Sequence, residues 1–288
     1  MRSITTRHFL QTAGTLLAGR VLAACGKQAP PAPAATTAAA PAASAPAPAA
    51  KVYTVGTDAA YAPFESQNEK GEIVGFDIDV VKAVAAKAGI EVKFVNTPWE
   101  GIFNTLAQGD RDFLVSSITI TDERKQTMDF SSPYFDAQQL MAVKKDSKIA
   151  KFDDIKKLKV GVQTGTTGDE VVTKLQGKES TNVKRFESTP LALKELEAGG
   201  VDAVVADNGV VVHYVANNAS SSFKTLADSS FAAEQYGLAV KKGNADLLAK
   251  LNKGLADVKA DGTYNTIYAK YFGAAPGAAT APAAAASK

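Results

Sequence analysis

Short β-branched runs alternate with amphipathic stretches of ten or so residues, and the alternation passes through the chain, stops and starts again. Val52 to Gly56 reads as a strand ended by glycine. Gly75 to Ala88 predicts a helix with Phe76, Val80, Val81, Val84 and Ala88 on one face, Lys82 and Lys87 outside, and Gly89 as its stop. A strand at Val92–Val95, a helix at Trp99–Gln108 closed by Gly109, and a strand at Phe113–Val115 complete the first round. The second round starts with the strand Lys159–Val162, which runs into Thr164–Gly168 and an amphipathic segment carrying Val171, Val172 and Leu175. It continues through Val183–Phe186, a helix at Pro190–Ala198, a strand at Ala203–Val205 and a helix after Asp207. Late in the chain come a strand at Gly237–Val240 and a helix at Ala245–Ala260 with Leu247, Leu248, Leu251, Leu255 and Val258 inward. Strands that alternate with helices build βαβ units and mainly parallel sheets, so the chain is α/β. Two such units with a cleft between them favour a small-molecule site.

The flanks have a different character. Arg2 and Arg7 precede an apolar run from Phe9 to Gly19, and Leu22, Ala23, Ala24 and Cys25 form a branched–small–small–Cys processing pattern. Together they predict a lipoprotein signal peptide over 1–24, because the run is shorter than the ~20 apolar residues of a membrane span. Arg20 is a charge just after that run; Thr6–Leu10 resembles a twin-arginine signal with His8 in place of the second arginine. Cys25, the single cysteine, cannot pair within the chain and is expected to carry lipid, two or more acyl chains being enough for stable anchoring. Residues 26–50 are almost entirely Ala, Pro, Ser and Thr, so 25–50 is expected to be a disordered tether reaching at most ~80 Å, and 274–288 a similar tail. Without Arg2, Arg7 and Arg20 the chain has 29 basic residues against 30 acidic ones and no basic run, which argues against a nucleic acid partner.

Within the globular part, one stretch is distinctive: Gly75, Phe76, Asp77, Ile78, Asp79 and Val80, continuing through Val84 and Ala85 to Ala88. With Gly56–Glu65, Thr119–Arg124, Asp129–Tyr134, Gly165–Thr167, Asp261–Tyr264 and Tyr271–Gly273 in the same order, it resembles the periplasmic polar-amino-acid-binding proteins of ABC transporters, extracellular solute-binding protein family 3. The glutamine- and basic-amino-acid-binding members are the best match. The resemblance implies a two-lobed type II periplasmic binding protein fold: lobe one from 51–140 plus 237–273, lobe two from 144–234, and hinge strands near Leu140–Val143 and Glu234–Gly237. It also implies a free L-amino acid as ligand, an ABC permease of the inner membrane as partner, a periplasmic location with a membrane anchor through Cys25, and a monomer without cofactor or metal.

An amino acid presents a carboxylate, an ammonium and a side chain. Beside Asp122 and Glu123, Arg124 reads first as a solvated helix residue; the resemblance reverses this and assigns its planar fork to the carboxylate. Thr166 and Thr167 suit a helix cap, and the Thr167 N–H also suits an anion at a helix N-terminus. Asp207 is a cap candidate that the resemblance places against the ammonium, with Ser116, Ser117 and Thr119 at the end of a strand nearby. Asp58, Tyr61 and Trp99 are expected to line the side-chain end, the two rings sandwiching a planar tip, with core packing as the alternative for both aromatics. Phe64, Phe76 and Phe103 are assigned to the core. Gln163 and Ala206 stand where glutamine-selective members have Lys and His, which tilts the reading toward arginine, lysine or histidine and keeps glutamine second.

Two rival classes make demands of their own on the sequence. An enzyme on the same scaffold, such as a cyclohexadienyl dehydratase, needs a cleft acid or base beyond the ligand clamp. Glu100 and Glu170 are the candidates, both placed on solvated helix faces, and His213 falls mid-helix. A sensory component would need a membrane helix or signalling domain. No catalytic residue is assigned.

Overall fold

The computed structural model describes residues 51–219 and 222–273. Cys25, the signal peptide, the tether and the tail lie outside the described residues.

The first sheet is built by β1 (Val52–Thr57), three short strands β2 (Ala60–Tyr61), β3 (Glu65–Gln67) and β4 (Ile73–Val74) that form a separate flap, then β5 (Glu91–Asn96), β6 (Phe113–Leu114) and β7 (Met128–Phe130). Next comes β8 (Phe135–Lys144), followed by β9 (Val160–Gln163), β10 (Val183–Phe186), β11 (Ala203–Asp207), β12 (Phe223–Leu226), β13 (Ala233–Tyr236) and β14 (Ala239–Lys241). The first sheet has the order β5-β1-β6-β14-β7, the second β10-β9-β11-β8-β12. In each the leading strands are parallel, and the strands returning from the other half of the chain are antiparallel. The fold is the two-lobed type II architecture.

Helix α1 (Phe76–Ala88) follows from its pattern: Phe76, Ile78, Val80, Val81 and Val84 are fully buried. Each such side chain contributes about 1.5–3 kcal/mol by leaving water. Gly75 opens it at φ 142°, where an added Cβ would stand 2.0 Å from the Phe64 carbonyl oxygen, so no other residue fits. Helix α2 (Ile102–Gln108) starts later than the periodicity predicts, because Gly101 takes a left-handed conformation and leaves Trp99 in the preceding turn. The short helix α3 (Asp122–Thr127) is capped by Thr121, whose hydroxyl accepts from the Arg124 N–H. The second lobe carries α4 (Thr167–Gln176), α5 (Thr189–Ala198) and α6 (Asn208–Tyr214). Helices α7 (Ala245–Ala260) and α8 (Thr263–Phe272) return to the first lobe and pack on α1. Gly254 allows the close approach of α7: a Cβ there would lie 2.4 Å from the Val84 carbonyl.

The chain passes between the sheets on β8 and β13, whose residues Phe135–Gln138 and Ala233–Tyr236 pair antiparallel. This corrects one expectation. Leu140–Val143 do not lie between the lobes; they are inside the second sheet, paired with β11 and β12 on either side. Met141, Ala142 and Val143 are fully buried there, and such a continuous apolar run belongs to a central strand. The alternating residues Asp136 and Gln138 occupy the crossing instead.

Candidate functional site

A cleft pocket lies between the two lobes, with about 330 Å³ of empty space, open solvent included. All the residues singled out from sequence line it: Asp58, Tyr61, Trp99, Ser116, Ser117, Thr119 and Arg124 from the first half of the chain, and Gln163, Thr166, Thr167 and Asp207 from the second. Glu65 joins them.

Arg124 is not a solvated helix arginine. It is 9% exposed and belongs to no ion pair among the described residues. Its guanidinium donates to the carbonyls of Thr119 (3.0 Å) and Gly165 (3.4 Å), and lies 5.5 Å from the Trp99 ring and 5.3 Å from Phe103. Burial pushes its pKa down. A buried, charged fork held by carbonyls and aromatic faces has its strongest capacity, a bidentate bond to a carboxylate, unspent.

Asp207 precedes α6 at the position of an N-cap, yet its side chain makes no capping bond. Its carboxylate turns to the cleft, where Oδ2 accepts from the hydroxyls of Tyr61 (2.9 Å) and Tyr236 (2.5 Å), and Oδ1 from the Gln139 amide (2.5 Å). Burial, with the nearby Glu234 charge, raises its pKa to about 6. Thr166 is the true cap of α4: its hydroxyl accepts from the Asp169 N–H at 3.2 Å while the residue still lines the cavity. Thr167 is the first residue of the helix, so its own N–H has no partner within the helix.

At the other end Asp58 receives the Gln163 amide (3.4 Å), and burial raises its pKa to about 6 as well. Gln163 also donates to the Glu187 carbonyl (3.0 Å) and accepts from Thr189 (3.0 Å). Tyr61 and Trp99 both face the cavity, but each has a polar duty across the cleft: the phenol on Asp207, and the indole N–H on the Thr164 carbonyl at 3.1 Å. Trp99 meets Phe103 edge-on at 5.2 Å. Phe64 and Phe76 are fully buried, as their assignment to the core requires; Phe103 is partly buried beside Arg124.

Ser116 and Ser117 are positioned from below. The Ser116 hydroxyl accepts from the Asp58 N–H (3.0 Å) and donates to Glu65 (3.0 Å). Ser117 has φ 49°, the only positive φ outside glycine among the described residues, a conformation that costs of order 1 kcal/mol. Asp77 holds it there by accepting its N–H at 2.8 Å, and also accepts from the Tyr134 hydroxyl at 2.7 Å. Glu65 and Asp77 are both fully buried, and Glu65 Oε2 and Asp77 Oδ1 have no hydrogen-bond partner; burial, with the Asp77 charge beside it, holds the Glu65 carboxyl well above the usual range. Glu65 stands within the family-like stretch Gly56–Glu65. Gln139, Glu234 and Tyr236 sit on the crossing strands, where sequence offered no sign that side chains would reach the cleft. Glu100 and Glu170 are exposed, and among the described residues no group of His, Cys, Asp and Glu is placed to hold a metal ion.

Bacterial extracellular solute-binding proteins, family 3, match residues 53–274, and the chain belongs to that family. It is 46% identical over 223 residues to a probable histidine-binding protein of Neisseria gonorrhoeae, covering 77% of this chain and 83% of that one. The arginine-, lysine-, histidine-binding protein ArtJ of Geobacillus stearothermophilus superposes with a TM-score of 0.76 at 44% identity, covering 79% of this chain and 97% of that one. An ancestral arginine-binding protein, solved bound to glutamine, superposes with a TM-score of 0.72 at 44% identity over 77% of this chain and 98% of its own.

Proposed function

We propose that this chain captures a free L-amino acid with a cationic side chain outside the cytoplasmic membrane and delivers it to an ABC importer. The observation that carries the reading is Arg124, a buried guanidinium on the cavity wall with no carboxylate paired to it among the described residues. It supports binding of the ligand carboxylate, with the Thr167 N–H adding a second donor. Asp207 at one end and Asp58 at the other are carboxylates whose burial lifts them to about 6. Two separated positive charges on the ligand, an α-ammonium and a basic tip, would relieve both. An anionic tip would meet repulsion at Asp58. The names of the relatives favour the same class. Glutamine is the second reading, because the Gln163 amide beside Asp58 can pair with a neutral amide.

The two lobes, 51–140 with 237–273 and 144–234, close around the amino acid, with the boundary on β8 drawn back to Phe135–Gln138. The ligand bridges groups from both walls and so favours the closed state that docks on the permease. The protein is a monomeric binding protein without turnover: the cleft charges serve as clamps, and Glu100 and Glu170 are exposed. Cys25 carries the lipid anchor.

A thermal-shift panel of the twenty L-amino acids on ligand-stripped protein tests the reading. Arginine, lysine and histidine should give the largest shifts, and amino acids with a blocked amine or carboxylate none. A largest shift from glutamate or a small aliphatic residue would overturn it. Cys25→Ser should move the exported protein from the membrane fraction to the soluble one with its affinity unchanged.

A further inference from the structure

Glu234 belongs to neither wall of the cleft. It sits on β13, one of the two crossing strands, yet its carboxylate reaches residues 115 and 67 positions away, one in each lobe. A single oxygen, Oε2, accepts from the Thr119 hydroxyl at 2.7 Å and from the Thr167 hydroxyl at 2.8 Å. Both threonines line the cavity. The other oxygen accepts from the Gln139 amide at 2.9 Å.

A threonine hydroxyl donates one proton and can accept up to two, and an ionised carboxylate only accepts. Bonded to Glu234, both hydroxyls must point their protons at it, which leaves their oxygens as acceptors. The Gln139 amide strengthens the same bias. Its nitrogen has two protons but three acceptors within reach, Asp207 (2.5 Å), Glu234 (2.9 Å) and the Thr167 hydroxyl (3.1 Å), while its own oxygen is buried without a partner. This corner of the cleft therefore has a surplus of acceptors.

We propose that Glu234 is a positioning residue that sets the polarity of the ammonium subsite. By taking the protons of Thr119 and Thr167 it makes the cleft select an α-ammonium over an α-hydroxyl, and because the two threonines come from opposite lobes it does so only when the cleft is closed. The inference rests on the amino-acid reading and adds a residue and a selection rule to it. Glu234→Gln keeps the shape but breaks the pattern. If the new amide nitrogen faces the threonines, their hydroxyls reverse; if it faces Gln139, two NH₂ groups oppose each other.

The test measures, by calorimetry, the affinities of wild type and Glu234→Gln for L-arginine and for its 2-hydroxy analogue, 5-guanidino-2-hydroxypentanoate. Loss of a charge-assisted hydrogen bond corresponds to roughly a 10- to 100-fold weakening. That loss should fall on arginine, with the hydroxy acid changed by less than about twofold, so that the wild-type preference for the amine shrinks. Thr119→Val should give the same selective loss, and Glu234→Gln should cost less in that background, since the two residues act through one bond. Equal weakening of both ligands, or full additivity with Thr119→Val, would overturn the proposal while leaving the amino-acid reading intact. Wild type that binds the hydroxy acid as tightly as arginine would overturn it too. Failure of wild type to bind any of the twenty amino acids would overturn both.

Discussion

The molecule holds two acidic pairs, three of the four residues buried and Glu234 half-buried, and they do different things. Glu65 and Asp77 lie inside the first lobe, ringed by Ser116, Ser117 and Tyr134. Both are fully buried, and Glu65 also lines the cavity. Asp207 and Glu234 lie between the lobes and never bond to each other; one amide and four hydroxyls from separate elements meet them. The first pair serves its own lobe, with Asp77 holding the left-handed Ser117 and Glu65 the Ser116 hydroxyl. The second pair has acceptors to spare and opens onto a cavity. A buried carboxylate alone is therefore no mark of a binding site; what separates the two regions is whether the donors around it come from one lobe or from both.

The sharpest way to break this contrast is to remove the charge that complements the second region. Arg124→Ala should weaken ligand binding by ~2–5 kcal/mol, roughly 30- to 4,000-fold in Kd, the usual result of truncating one partner of a buried charge pair. Ligand-free thermal stability should change little, because no protein carboxylate is paired with Arg124. Calorimetry showing less than a threefold change would remove it from the site.

Asp77→Ala should do the opposite. It leaves the buried Ser117 N–H and Tyr134 hydroxyl without their acceptor, at about 1–3 kcal/mol of stability, read as a lower midpoint in urea with an unchanged slope. If stability holds, the internal pair is not structural.

The two regions also separate by pH. Asp58 and Asp207 hold protons more tightly folded, at about 6, than at their ordinary 3.8. Their contribution to stability is thus fully present below about 3.8 and lost as pH rises through about 6. Ligand-free protein should gain from these groups between pH 7.5 and 5, and Asp58→Asn with Asp207→Asn should flatten that trend. Affinity for arginine should move the other way, falling about tenfold per carboxylate between pH 7.5 and 5 as protons compete with the cation. A pH-independent Kd over that window would show that neither carboxylate meets a charge.

The smallest effect expected is steric. A Cβ at Gly209, on α6, would stand 2.6 Å from the ring of Phe64, which is fully buried in the other lobe. Gly209→Ala should hold the lobes slightly apart and cost about 1 kcal/mol of affinity, measured with arginine, without touching the ligand. An unchanged Kd would mean that the lobes close without that contact.

Much of this was legible in advance, and the reason is local. The α/β alternation, the helices at Phe76–Ala88 and Ala245–Ala260, and the strand Val183–Phe186 follow from side-chain period and from glycine stops, which neighbouring residues set among themselves. The resemblance added the cavity-lining residues, with Asp58, Tyr61, Thr119, Arg124, Thr166 and Thr167 inside its short motifs. The ten-residue strand Phe135–Lys144 was not legible, because its first half alternates and its second half is continuously apolar; one segment serves two environments. Helix Thr263–Phe272 gave little sign either, since its aromatics pack around Phe76 and Phe135 rather than along one simple stripe. Sequence by itself determined the class of fold and which short motifs would carry polar groups to the cleft. Only the tertiary structure decided that Arg124 would meet no carboxylate among the described residues, that Asp207 would leave its cap, and that Gln139 and Glu234 would reach the site from the crossing strands. Those outcomes depend on which distant groups meet once the two lobes pack, and no local periodicity encodes the count of donors against acceptors in the space between them.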